Sequence, residues 1–491
     1  MDPSTAQGPG SAPIYRVPIE VWHRIFSYLA KPWGSPENLS ILLLSKKLYH
    51  VALPLTVNRF ENPIGLKYDD NSGLEAQFAR FKRRNARFLR LMLIQKPELS
   101  PYVQSLCMRS LTVDNQQPFA EHSERDLEFY ADWLVNNLNL AIPFDSAVEC
   151  IDSLGKGCAD AHFAFLIAHL PGLAAVSYNP AYVEQDADAK RALELAESPG
   201  TTAIRRFHNT LLPLRSIDFS AYGRSPLEIW HFRPDRFLPA MFTKPFLESI
   251  LRTHVTGDDS LALGFEELPP RASPVKHIYL FQSKATHRML QALLNSCESV
   301  VSFTLEGGRD SADVKIGPEV RPRDMIESLL PHKRTLRRLV TTFDAHQSLS
   351  PPEIMAGKSF FGRQLADMTA LTRLTADMES ITGVSFRQMK SWSKVVQEPK
   401  WMALPDNTPS VAQCLPASLK YLEVRNCTFV FAELMQEFLQ QIGPGKLCPK
   451  LKHVRLLFNY TNLRDKDHLH LWMDATLPLR LDLEYMPESL L

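Results

Sequence analysis

The sequence predicts an α+β chain whose larger part is an α/β repeat: a short helical unit at the N-terminus, then an irregular solenoid of alternating strands and helices. Three observations carry that reading. A short motif, apolar-x-x-apolar-x-apolar, returns from Val103 to Leu451. Segments of helical periodicity lie between copies, "THRMLQALLNSC" (286–297) before one and "FAELMQEFLQQI" (431–442) before another. A chain of 491 residues is also too long for one compact core of ordinary size unless repeats build it. The composition, 45% hydrophobic and 22% charged, is that of a globular protein. Lys and Arg total 55 against 54 Asp and Glu, so no global field points to nucleic acid or a membrane surface as partner. Seven cysteines form no CxxC pair and leave one over in any disulfide scheme, which reads as reduced thiols and a cytoplasmic or nuclear protein.

In chain order, residues 1–12 are small and polar with Pro and Gly, and read as a disordered tail rather than a secretory signal. The most apolar long window, "HFAFLIAHLPGLAAV" (162–176), is too short to span a bilayer. Sequons at Asn38, Asn426 and Asn459 are read as chance matches.

The unit over 13–60 opens with "VPIEVWHRIFSYL". Val17, Ile19, Val21, Trp22, Ile25, Phe26, Tyr28 and Leu29 leave only Glu20, His23, Arg24 and Ser27 as a polar face. A surface helix needs one apolar stripe about 100° wide, so this helix has apolar surface to spare. A Pro/Gly break, "KPWGSPEN", precedes a second helix in "LSILLLSKKLYHVALPL" (39–55). There Leu39, Leu42, Leu43, Tyr49, Val51, Ala52 and Leu55 recur at helical steps and Pro54 marks the expected end. Two helices of this length cannot bury so many large side chains on each other, and a leftover contiguous patch fits a partner surface.

The order of these residues closely resembles the F-box of fungal F-box proteins over Ile14 to Phe60. The Pro-x-Glu start, the Ile-Phe pair and the "SKKLYHVALPL" ending fall in sequence, with Val17 where Leu is usual and Tyr49 where many members carry Trp. The resemblance implies docking on the adaptor subunit of an SCF ubiquitin ligase and, through it, on cullin and RING subunits. Carried over by position, the adaptor-facing set is Val17, Pro18, Ile19, Val21, Ile25, Leu29, Leu42, Leu43 and Leu48.

Residues 61–95 read as a connecting basic helical segment. In "EAQFARFKRRNARFLRLMLI" (75–94), Phe78, Phe81, Phe88 and Met92 share a face, while Arg80, Lys82, Arg83, Arg84 and Arg87 lie mostly elsewhere. Over 96–491 the motif recurs at Val103, Leu173, Leu214, Val275, Val300, Leu419 and Leu451, with weaker copies at Leu336 and Leu371 that lose the third apolar position. Cys427 and Asn459 end two copies where a leucine-rich repeat carries Cys or Asn, so the remainder resembles an irregular leucine-rich-repeat solenoid. Strands that alternate with charge, as in "KHIYL", suit a face open to solvent better than a doubly covered parallel sheet.

Catalytic readings are weak. "MAGKSFFG" (355–362) ends like a phosphate-binding loop, but Pro352 stands where the first glycine belongs. His468 and His470 with Asp465 and Asp467 could hold zinc, yet nothing else is spaced to complete a site. The expectation is therefore no enzyme, no cofactor and no metal. The chain is expected to be a substrate receptor, with a scaffold or plain protein-binding repeat module as the alternative and the target unspecified. Arg337, Arg338, Lys420 and Lys452 lie beside strand positions, where solvated charge is the simplest reading and recognition of a phosphate on a modified target the alternative.

Overall fold

The computed structural model describes residues 17–33, 38, 42, 46–62, 74–109, 122–137, 151–157, 159–179, 215–219, 242–253, 259–281, 285–306, 320–343, 360–382, 410–427, 432–443, 445–458 and 480–485. The expected tail over 1–12, the GKS tripeptide, the His468/His470 segment and Asn459 lie outside them. Mixed helix and parallel strand divide into two compact units, Met1–Arg215 and Ser216–Leu491.

The first unit opens with helices α1 (Ile19–Leu29) and α2 (Lys46–Val57). Helix α2 runs past Pro54, where the sequence placed its end. So close to the C-terminus a proline removes a single ladder bond, and His50, whose carbonyl would have accepted it, is exposed. Strand β1 (Arg59–Asn62) follows directly and straddles residue 60. Helix α3 (Leu74–Arg90) then continues into a π-helical turn, Leu91–Gln95. It is more than a connector, because Phe88 stacks on Phe60 of β1 at 4.1 Å and Phe81, Phe88 and Met92 are buried. Asn62 at the end of β1 donates to the Asn85 side chain at 2.5 Å and to the Phe81 carbonyl at 3.1 Å. Strands β2 (Ser105–Arg109) and β3 (Ala175–Asn179) extend a parallel ladder in chain order, with α4 (Glu124–Asn137) and α5 (Ala159–His169) between them. The turn before β3 is held tightly: a Cβ on Gly172 would lie 2.2 Å from the Pro101 carbonyl oxygen.

The second unit repeats one pattern: strands β4 (Ser216–Phe219), β5 (Ser249–Thr253), β6 (His277–Phe281), β7 (Ser302–Glu306), β8 (Arg338–Thr342), β9 (Arg373–Asp377), β10 (Tyr421–Cys427), β11 (His453–Phe458) and β12 (Arg480–Tyr485). From β5 on, each pairs in parallel with its predecessor. Parallel neighbours need a crossover, and helices such as α6 (Asp259–Glu266), α7 (His287–Ser296), α8 (Pro322–Leu329) and α9 (Ala432–Gln441) lie on those connections. Helix α7 starts where Thr286 accepts a hydrogen bond from the Met289 amide at 3.1 Å, a side-chain N-cap.

The motif explains the core. Its first position is buried at Val275, Val300, Leu336, Leu371, Leu419 and Leu451. Its second forms one continuous row, Ile217, Ile250, Ile278, Phe303, Leu339, Leu374, Leu422 and Val454, each opposite the next in register and each 0–1% exposed. At the weak copies the third position holds Thr341 and Ala376, both fully buried. Strands β1, β5 and β12 escaped the motif because Asn62, Arg252 and Pro478 occupy one of its apolar positions.

Among the described residues the buried Thr341 hydroxyl has no hydrogen-bond partner. Leaving such a group unpaired costs about 1–3 kcal/mol. Thr341→Val keeps the shape and removes the hydroxyl, so it should stabilise the protein by about 1 kcal/mol, read as a higher urea midpoint. A lower midpoint would contradict this account of the row.

Candidate functional site

Two surfaces stand out, one in each unit. The first is helix α1. Pro18 leads into it with its carbonyl accepting from the amides of Val21 at 3.1 Å and Trp22 at 3.2 Å, and Glu20 lies in the first turn, where the helix dipole favours an acid. At about 100° per residue, Trp22 and Phe26 fall side by side, and these two face the core. Phe26, Leu48 and Ala52 form a buried cluster, with Trp22, Leu42, Val51 and Leu55 packed on it and the Trp22 and Phe26 rings 5.5 Å apart. Asn38 closes the far end of the unit: its side chain accepts from the Lys31 amide at 2.9 Å and donates to the Lys31 carbonyl at 2.8 Å. It is 4% exposed, so this sequon is spent on structure.

The neighbouring arc of α1, about 100° wide, carries Tyr28, Val21, Ile25 and Leu29, exposed by 75%, 45%, 38% and 51%. Ile19 adds 53% near the helix start. The apolar face thus extends about 180° around the helix, and only half of it meets its own unit. A contiguous exposed apolar stripe of this kind marks an interaction surface.

Of the residues assigned from the sequence, Pro18, Ile19, Val21, Ile25 and Leu29 lie on the surface and Val17 is half-buried. Leu42 is packed against the core cluster. Leu48 is a core residue, 4% exposed, because it faces Phe26 across α1 and α2, and it offers no free surface. Leu43 lies outside the described residues. Tyr28 was left out of that set, although the i, i+4, i+7, i+8 spacing of Val21, Ile25, Tyr28 and Leu29 carries the signal.

The second surface is the face of β6–β12 opposite the apolar row. Arg373 lies over the Tyr421 ring, 4.5 Å from its centre, and Tyr421 donates its hydroxyl to Glu423 at 2.9 Å. Arg425 and Arg455 also donate to Glu423, at 2.9 and 3.3 Å, and hold that carboxylate below the usual range against the opposing effect of burial. His453 and Arg480 share Asp482 at 2.7 and 3.1 Å. Asp377, at the end of β9, accepts from the Phe343 amide at 2.5 Å and the Asn426 side chain at 2.6 Å, and so ties the ends of three neighbouring strands. Burial pushes its carboxyl up to about 7. Asn426 stands in the left-handed region (φ 56°) where the β10 register shifts, and the Cys427 thiol beyond it donates to the Val424 carbonyl at 3.4 Å.

Burial raises the thiols of Cys297 to about 12 and of Cys414 and Cys448 to about 11, which keeps them protonated and poorly nucleophilic. Among the described residues no group of three His, Cys, Asp or Glu side chains could hold a metal ion, and no helix is long and apolar enough to cross a membrane.

Two predictions follow from this geometry. Phe26→Ala should cost about 3–5 kcal/mol of stability, whereas Ile25→Asp one residue away should change it by less than about 1 kcal/mol, both read from urea unfolding by circular dichroism. Asp377 takes up a proton on folding, so its contribution is complete below the unfolded carboxyl value near pH 4 and fades as pH rises towards 7. The wild-type unfolding midpoint should fall across that window relative to Asp377→Asn; parallel pH profiles would refute the assignment.

No protein-family model and no curated protein matches the chain. Among solved structures, one chain of a crystal structure of the Rad7 and Elc1 complex in yeast is 12% identical, over 84% of this chain and 98% of that one, with a TM-score of 0.21. That score is far below a shared fold.

Proposed function

We propose that the protein is the substrate-recognition subunit of an SCF-type ubiquitin ligase, working in the cytosol or nucleus. The observation that carries the proposal is the exposed stripe Val21, Ile25, Tyr28 and Leu29, on the helix whose sequence resembles an F-box. The stripe docks on the adaptor subunit, which holds the cullin and its RING partner. The strand-and-helix coils of the second unit read as leucine-rich repeats and present the target. The chemistry of ubiquitin transfer belongs to the partner enzymes, so this chain carries no catalytic residue. Its contribution is effective concentration, because a tethered target lysine meets the charged conjugating enzyme as an intramolecular neighbour.

Apolar residues central to an interface commonly cost about 2–4 kcal/mol when removed. Co-expression with the SCF adaptor subunit, followed by size-exclusion chromatography, should give a single co-eluting peak. Ile25→Asp with Leu29→Asp should weaken adaptor binding by about a hundredfold and keep the wild-type circular dichroism spectrum. A wild-type chain that ignores the adaptor would defeat the ligase reading and leave a repeat-type binding module. Double mutants that unfold would show the stripe to be core.

A further inference from the structure

The starts of β8 to β11 carry cations that make no ion pair among the described residues. Register places Arg338, Arg373, Tyr421, His453 and Arg480 in one row across five neighbouring strands. One residue earlier, backbone hydrogen bonds align a second row. The Thr372 amide donates to Arg337 at 2.9 Å, the Lys420 amide to Thr372 at 2.9 Å and the Lys452 amide to Lys420 at 3.0 Å. Arg337, Arg338, Arg373, Lys420 and Lys452 are all exposed. Among the described residues none of the five forms an ion pair, since Glu423 is taken by Arg425 and Arg455, and Asp482 by His453 and Arg480.

Arg338 and Arg373 face each other directly in register, an arrangement in which like charges repel. Arg373 is fixed over the Tyr421 ring, which leaves the edge of its guanidinium available for a bidentate carboxylate contact. In a chain whose charges almost cancel, such a row is a local segregation rather than a consequence of composition.

The geometry points to a docking strip for an acidic, extended segment of another protein, laid across the starts of β8 to β11. Strands about 4.8 Å apart make the strip about 14 Å long, the span of about four residues of extended chain. Along the strands it is only about 7 Å deep, because Glu423, Asp482 and Asp377 follow within the next four residues. That shape selects one narrow anionic chain. A duplex nucleic acid, with two phosphate rows bordering a groove about 12 Å wide, would lay one of them outside the two rows of cations. The inference rests on the substrate-receptor reading and names the chemistry of what is received.

The test is a fluorescence-anisotropy titration of a labelled six-glutamate peptide with the full chain, without adaptor, so that its outcome is independent of adaptor binding. The wild type should bind the peptide and release it as salt rises. Arg338→Glu with Arg373→Glu should weaken binding at least about tenfold with an unchanged circular dichroism spectrum. Reversal of two other surface cations, Arg323→Glu with Arg363→Glu, should leave it unchanged. The strip is refuted if the wild type does not bind the peptide, if both double variants bind equally well, or if a labelled DNA duplex binds more tightly than the peptide. Peptide binding in a chain that ignores the adaptor would keep the strip and remove the ligase role.

Discussion

One constraint governs the second unit: every strand must deliver an apolar side chain to the same register position as its neighbours. Parallel strands cannot be joined by a tight turn, so each arrives after a crossover and finds its place only through the row from Ile217 to Val454. A slip of one residue would turn that row to solvent and bring Arg338 or Glu423 inside. The row thus fixes the core, and it equally fixes which residues share the opposite face. The cationic alignment at the strand starts and the Glu423 and Asp482 networks one step further on are products of the same register.

Helix α1 obeys a different economy. Trp22 and Phe26 are enough to anchor it to α2, and everything from Val21 to Leu29 on the adjoining arc is surplus to folding. Because the anchoring and the exposed residues alternate along one helix, the two roles are separable at neighbouring positions. The same two helices hand the chain directly to β1, so the unit that carries the stripe is also the one that starts the first ladder.

Much of this was legible in the sequence because the motif records burial directly: strands form at all nine copies, even where Thr341 or Ala376 stands in for a larger side chain. Legibility failed where a polar residue or proline took an apolar position for a reason outside the strand. Asn62 is inside because α3 supplies Asn85 as its partner, a contact that hydrophobic periodicity cannot reveal. The periodicity of 75–94 showed an apolar face, on which Phe81, Phe88 and Met92 are buried, but not that Phe88 stacks on Phe60 of β1. On α1 the helical angle separates Tyr28, which is exposed, from Phe26, which is core. The strip at the strand starts was visible only as scattered cations until the pairing register put them side by side.

Chain order in the ladder has a kinetic side. In the second unit the described pairings join strands consecutive in sequence, so pairing joins only successive coils. Assembly can begin at any adjacent pair and spread outward, and opening can begin at β12 without disturbing β6. A lesion in one coil therefore cuts the row into two shorter pieces, each still holding its own interior. Such a unit loses its order by segments rather than all at once.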